Sequence, residues 1–223
     1  MQGGVIMVIE IDLEINIADG IIPKMNKFND APLNVNDDLF KLFIHSSNYE
    51  EMLDEGREKY QVSILDVFKR TMTADDPRLE LLSNEYFRLS QEDKYVQFIS
   101  KVFELNEQEA YIDFSGTKNR IELINFIENK MRKLDKIDKL ILINQVDVLN
   151  NDENDIYMIN DLPILKVFIK GFLRETLWNS IVFRKYPLIL VAGYDLSIHA
   201  IFKDNHDKTV YEKIANASNL YLR

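Results

Sequence analysis

Residues 188–202 read LILVAGYDLSIHAIF, two apolar runs on either side of a short polar interruption. The first run, Leu188–Ala192, and the second, Leu196–Phe202, are rich in the residues that favour strands. Gly193 and Tyr194 suit the centre of a two-residue turn that has glycine in its first position. The stretch therefore predicts an antiparallel hairpin, and with it a β-sheet near the carboxyl end.

A second clear strand is predicted at the other end of the chain, at residues 7–17. Aliphatic residues alternate there with acidic and amide residues, which is typical of a strand with one wet face. The following segment, about 37–105, has mainly helical patterns, so the strand finds its partners in the strand-rich segment 110–223. The sequence thus predicts an α+β fold, with a mixed β-sheet and an inserted helical segment in a single domain, 1–223.

Helical spacing and capping residues divide the inserted segment. Asp76 followed by Pro77 predicts the start of a helix, and Ser90 with Asp93 resembles the capping pair of the next one. Asn48–Gly56 is predicted as a short helix. Four apolar residues at helical spacing predict another helix: Ile64, Leu65, Phe68 and Met72.

The strand-rich segment begins with a predicted βαβ unit. Its strands are Ala110–Phe114 and Leu140–Val146, joined by a helix. Asp161, with a proline two residues later, opens a strongly apolar helix that is expected to hold Trp178 in the core. A last helix is predicted at about 207–217.

Composition excludes several kinds of site. The chain of 223 residues has no cysteine, which excludes disulfides, thiolate zinc sites and thiol nucleophiles. No signal peptide is recognisable, and four charged residues interrupt the most apolar region, Leu162–Phe183. We therefore expect a cytoplasmic protein that does not bind or cross a membrane.

Negative charge is concentrated at the amino-terminal end. The net charge is −10, and residues 1–56 hold 11 acidic and 3 basic side chains. Such a field repels nucleic-acid phosphates and attracts basic proteins. Glu10, Asp12 and Glu14 share the polar face of the predicted first strand, so they form the predicted binding surface. A solvated face with no partner is the alternative.

The turn Ser115-Gly116-Thr117-Lys118 lies between a predicted strand and a predicted helix. A phosphate group could use the free N–H groups of that helix start. The order of residues differs from that of a phosphate-binding Walker loop, and a plain helix cap with a tight turn is the simpler explanation. These four residues are the candidate cofactor site of a chain for which we otherwise expect no cofactor.

Tyr194, Asp195 and His199 are the candidate catalytic residues. Alternation along the predicted strand puts Asp195 and His199 on one face, where they could exchange a proton. Side chains two and four residues apart are spread along a strand, however, so a surface-facing strand explains the pattern as well. No histidine spacing and no acidic turn in the sequence matches a metal site.

This acidic, cysteine-free profile without a catalytic motif is similar to that of bacterial immunity proteins and antitoxins, which block basic toxins. The resemblance implies a non-enzymatic protein-binding module in a bacterial cell or its phage, with a basic protein such as a toxin as partner. One alternative is an enzyme of unfamiliar type, whose pocket lies near the carboxyl-terminal hairpin and Ser115–Lys118. Another is an assembly subunit, since the sequence leaves the oligomeric state open.

Overall fold

A computed structural model describes residues 24–27, 38–45, 49–73, 75–113, 120–129, 133–149 and 156–223. The helices in these ranges are α1 (Asp38–His45), α2 (Tyr49–Lys59), α3 (Leu79–Ser83), α4 (Glu85–Leu105), α5 (Arg120–Asn129), α6 (Lys136–Asn144), α7 (Val146–Leu149), α8 (Leu162–Leu173) and α9 (Asn205–Ala217). The strands are β1 (Asn26–Lys27), β2 (Gln61–Asp66), β3 (Ala110–Asp113), β4 (Ile156–Ile159), β5 (Ser180–Phe183), β6 (Leu188–Ala192), β7 (Ile198–Phe202) and β8 (Tyr221–Leu222).

The described strands form one sheet in the order β1-β4-β3-β5-β6-β7-β2-β8. Every pairing among them is antiparallel, and the predicted hairpin is present, with Leu188 opposite Phe202 and Ala192 opposite Ile198. The predicted α+β class is therefore confirmed. The predicted strand at 7–17 lies outside the described residues, and its pairing with the carboxyl-terminal strands stays a prediction.

Both faces of the sheet are buried, which explains the continuous apolar runs of its central strands. In β6 the side chains of Leu188 and Leu190 join one apolar cluster, and those of Ile189 and Val191 join another. All four are fully or almost fully buried. Helices must therefore cover the sheet on its two sides.

The larger cluster lies beneath α4, α8 and α9, with Phe98, Phe168 and Tyr211 among its buried members. The smaller cluster lies beneath α1 and α2, where the ring of Phe40 meets the ring of Tyr111 at a centroid distance of 5.0 Å. The sheet is the middle layer between these two sets of helices. None of the described helices combines the length and apolarity needed to cross a membrane.

The helix predicted around Ile64 and Leu65 is wrong, because these residues belong to β2. Their side chains point to opposite faces of the sheet, with Leu65 in the larger cluster. β2 pairs with β7 on one side and β8 on the other. A strand therefore interrupts the predicted helical segment, since a short apolar run does not distinguish helix from strand.

The predicted strand Leu140–Val146 is also wrong, and so is the βαβ unit built on it. Most of this segment belongs to α6, whose N-cap Asp135 accepts a hydrogen bond from the Asp138 N–H at 2.9 Å. Its buried residue Leu142 packs into the larger cluster beneath the sheet. The cap and the packing decide in favour of a helix over the β-branched composition.

Two further helix boundaries differ from the predictions. The helix predicted to start at Asp76 and Pro77 is split into α3 and α4 at Asn84, whose side chain accepts a hydrogen bond from the Phe87 N–H. The predicted capping pair Ser90 and Asp93 lies inside α4, where the Ser90 hydroxyl donates to the Phe87 carbonyl. By contrast, Asp161 caps α8 as predicted.

Candidate functional site

The connection between β6 and β7 marks one end of the sheet, which we call the turn end. β5 begins there, because Ser180 lies opposite Val191 of β6. β3 ends there, since the Ser180 N–H donates to the Asp113 carboxylate. The Ala192 N–H also donates to the Asn179 carbonyl at 3.2 Å. Side chains from strands that are distant in sequence therefore meet at the turn end.

An exposed aromatic pair, Trp178 and Tyr194, lies at the turn end. The two ring centroids are 4.6 Å apart and the rings are tilted by 51°. Trp178 is 50% exposed and Tyr194 is 66% exposed, so the predicted core position of the tryptophan is wrong. The apolar helix α8 ends at Leu173, and it is Leu177 that packs inward, against Gly171. Trp178 follows on the solvent side.

The turn that carries Tyr194 has a fixed backbone. It spans Gly193–Ser197 and is longer than the predicted two-residue turn, with Asp195 and Leu196 at φ angles of 54° and 61°. Such left-handed conformations cost free energy in non-glycine residues and persist where neighbouring contacts hold them. The Tyr95 hydroxyl supplies one such contact by donating to the Leu196 carbonyl.

Two contacts inside the turn add to its rigidity. The Tyr194 carbonyl accepts hydrogen bonds from the Ser197 N–H at 2.9 Å and from the Ser197 hydroxyl at 2.5 Å. A Cβ atom on Gly193 would lie 2.6 Å from the Ser197 carbonyl oxygen, so only glycine fits there. The aromatic pair is thus presented on a preorganised support.

An ion pair joins this turn to α4. The Asp195 N–H donates to a Glu175 carboxylate oxygen at 3.2 Å, and the Arg88 guanidinium donates to the same oxygen at 2.7 Å. Burial on its own would raise the pKa of Glu175, but these two hydrogen bonds hold that pKa below its usual value. Arg88 and Glu175 are 87 positions apart, so no local sequence signal reveals the pair.

Beyond Arg88 lies a cleft of about 270 Å³. The Arg174 guanidinium donates from Nε and Nη2 to the two oxygens of Glu92, at 2.6 and 2.8 Å. The Lys133 ammonium donates to the Arg174 carbonyl at 3.2 Å. The two arginines of the cleft thus pair with carboxylates of the protein itself. We therefore assign these charges a role in holding the fold rather than in binding a ligand. The lining residues are Ser83, Glu85, Arg88, Leu89, Glu92, Lys133, Leu173 and Arg174.

The structure separates the candidate catalytic residues into two environments. Tyr194 and Asp195 lie in the turn, whereas His199 lies within β7 on the sheet face that α2 covers. Burial lowers the pKa of His199, and the positive charge of Arg57 on α2 lowers it further. A carboxylate that oriented this histidine would raise its pKa instead. An acid–base role for the three residues stays a prediction.

The other predicted site residues lie outside the described ranges. These are the acidic residues Glu10, Asp12 and Glu14, and the turn Ser115, Gly116, Thr117 and Lys118. In the described part of the chain no three histidine or acidic side chains cluster as metal ligands.

Helix α2 carries the most acidic described surface near the amino-terminal end. It has five acidic and two basic side chains, and its ion pairs include Arg57 with Asp54 at 2.9 Å and Lys59 with Glu55 at 2.7 Å. The helix therefore carries more negative than positive charge.

Comparison with family models, curated proteins and solved structures finds no match to this chain.

Proposed function

We propose that this protein is a non-enzymatic binding module that presents an acidic surface to a basic protein partner, as an immunity protein or antitoxin does. The observation that carries the proposal is helix α2, whose two basic side chains leave it with a negative surplus. Residues 1–56, which include most of α2, contain 11 acidic and 3 basic side chains. The chemistry of this region therefore suits a positively charged surface.

The packing of α2 makes this surface suitable for rapid recognition. Met52 and Leu53 are buried in the smaller cluster, and Gly56 lies against Ile201 of β7. The exposed carboxylates therefore stand on a fixed helix that needs little ordering when a partner binds. Complementary charges speed diffusional encounter, and a small number of central contacts supply most of the affinity.

Capture from a lysate of the native host at low and at high salt tests the proposal. We expect a basic protein to be retained at low salt and to be released, or bound more slowly, as salt screens the charges. Replacing Glu50→Gln and Glu58→Gln should weaken this capture. Neither side chain forms a salt bridge within the described residues.

A matched control removes the same charge elsewhere, with Asp93→Asn and Glu104→Gln on the exposed side of α4. Capture should be nearly unchanged in this control if α2 forms the contact. Equal losses in the two double variants would assign the attraction to net charge alone. Failure to retain any basic protein at either salt would contradict the proposed function.

A second candidate is an enzyme of unfamiliar type with a pocket near the carboxyl-terminal hairpin. One observation favours it: the Arg88–Glu175 ion pair joins the 270 Å³ cleft to the backbone of Asp195. A screen of small metabolites for increases in Tm tests this candidate. A ligand whose effect disappears in Asp195→Asn and His199→Asn variants would support it over the binding module.

A further inference from the structure

We infer that Trp178 and Tyr194 form the anchor of the protein interface and accept an arginine side chain of the partner, with Asp195 as its counter-ion. This inference rests on the proposed function, because it assigns the chemistry of one contact to the basic partner. The planar guanidinium of arginine stacks on aromatic faces better than an ammonium group does.

The exposure of the pair supports this inference. Tryptophan and tyrosine are the residue types that most often dominate binding energy at protein interfaces. In the part of the chain that the structure describes, neither ring has a cation over it. Within the fold, by contrast, the Arg184 guanidinium lies 4.6 Å from the centroid of Phe40. The exposed rings have an electron-rich surface that a partner's cation can use.

The charges around the pair favour a cation over an anion. Asp195 directly follows Tyr194, is exposed, and forms no salt bridge with another described residue. The nearby Glu175 carboxylate already binds Arg88 and the Asp195 N–H. The Asp195 carboxylate is therefore the acidic group that remains available to a guanidinium at the aromatic rings.

The fixed backbone of the turn Gly193–Ser197 favours binding through a contact as small as one arginine side chain. The left-handed backbone of Asp195, the bonds from Ser197 to Tyr194 and the close approach at Gly193 hold the turn before any partner arrives. Binding then loses little backbone entropy.

Trp178 is the only tryptophan of the chain, so its fluorescence reports directly on this site. We would titrate the full-length protein with acetyl-Gly-Arg-Gly-amide, and with the same peptide carrying citrulline, the neutral isostere of arginine. We expect a saturable change in Trp178 emission, with the arginine peptide bound about 2- to 30-fold more tightly. Equal affinities, or a change that does not saturate, would overturn the inference.

Variants locate the binding. Tyr194→Ala should abolish the saturable change, and Asp195→Asn should reduce the preference for arginine over citrulline. The double variant Glu50→Gln and Glu58→Gln is the control, because it alters a different surface and should leave peptide binding within about twofold. An unchanged arginine preference in both Tyr194→Ala and Asp195→Asn would overturn the assignment. Far-UV circular dichroism confirms that each variant is folded.

Capture of a basic protein and binding of the arginine peptide test the proposed function and the aromatic anchor separately. If a basic protein is captured in a salt-dependent manner and Tyr194→Ala captures it equally well, the anchor is wrong and the proposed function stands. If the arginine peptide binds at Trp178 but no basic protein is captured, the anchor chemistry stands and the proposed function is contradicted.

Discussion

Ion pairs on the two sides of the sheet use the same residue types in different surroundings. On α2, Arg57 and Asp54 are 58% and 75% exposed, and water competes with their contact. Beneath the other face, Arg174 and Glu92 are 14% and 10% exposed and form two hydrogen bonds. Exposed pairs contribute little to stability, whereas losing one partner of a desolvated pair leaves an uncompensated charge.

This difference separates buried carboxylates that have an internal partner from exposed carboxylates on α2. Glu92 and Asp66 pair with Arg174 and Arg223, whereas Glu50 and Glu58 are exposed.

The largest effect is expected for Arg223→Ala. The Arg223 guanidinium donates to the Asp66 carboxylate at 2.6 and 3.0 Å, and Asp66 is only 3% exposed. Without it, a buried carboxylate loses its counter-charge, so the free energy of unfolding should fall by about 3–5 kcal/mol. Urea denaturation followed by circular dichroism measures this change.

Arg57→Ala is the matched control, since it removes an arginine from an exposed pair. Its cost should be below about 1 kcal/mol. Similar costs for the two variants would mean that exposure does not separate the two classes of ion pair.

A smaller loss is expected for Gly193→Ala. The new Cβ would meet the Ser197 carbonyl oxygen at 2.6 Å, and a backbone atom cannot move away without distorting the turn. Overpacking of this kind costs about 1–3 kcal/mol. Urea denaturation followed by circular dichroism measures this loss. The fluorescence spectrum of the folded variant should also show a shifted Trp178 emission, because Tyr194, which contacts Trp178, follows Gly193.

Gly56→Ala on α2 provides the contrast. Its Cβ would lie 2.9 Å from Cδ1 of Ile201, the flexible end of a side chain. Alanine gains about 1 kcal/mol of helix propensity over glycine, which offsets the crowding. We expect the free energy of unfolding to change by almost nothing. A loss as large as that of Gly193→Ala would show that the Ile201 side chain yields no more easily than the Ser197 backbone.

The pH dependence of stability should change in His199→Asn. Burial and Arg57 lower the pKa of His199 in the folded protein, so the unfolded state binds the proton more readily. The stabilisation is present above the ordinary histidine pKa of about 6.5 and is lost as pH falls through the lower folded value. Denaturation midpoints measured from pH 8 to pH 5 should therefore decline less in the variant.

His206→Asn is the control for this measurement, because His206 is exposed near the start of α9. The wild-type decline should persist in this variant. A decline of equal size in His199→Asn and the wild type would show that other groups cause it.

The smallest effect on stability is expected for Glu50→Gln with Glu58→Gln. Glu50 is favourable at the positive end of the α2 dipole and Glu58 is unfavourable near its negative end, so their losses oppose each other. The free energy of unfolding should change by less than about 0.5 kcal/mol. A larger loss would place these carboxylates among the structural charges.

The sequence predicted those elements whose signals are local. The hairpin of β6 and β7 follows from its two apolar runs, and the start of α8 follows from Asp161. The last helix, predicted at about 207–217, begins two residues earlier because Asp204 caps it. In each case the deciding residues lie within a few positions of the element.

The wrong predictions concern elements whose structure is decided by contacts between residues that are distant in sequence. β2 becomes a strand through its pairing with β7 and β8, and α6 is held by its cap and its packing on the larger cluster. The site at the turn end depends on Arg88 and Glu175, which tertiary structure brings together. The periodicity of apolar residues carries no information about such pairs. It also cannot show that Leu177 is buried after α8 while Trp178 is exposed.

The division of the apolar interior by the sheet has a consequence for partial unfolding. The α1–α2 layer rests on the smaller cluster, while most other described helices share the larger one. A layer with less buried area opens at a lower free energy than the whole molecule does. Amide protons of α2 should therefore exchange with solvent through a partial unfolding of the α1–α2 layer. The amide protons of the helices on the opposite face should stay protected against exchange during this opening.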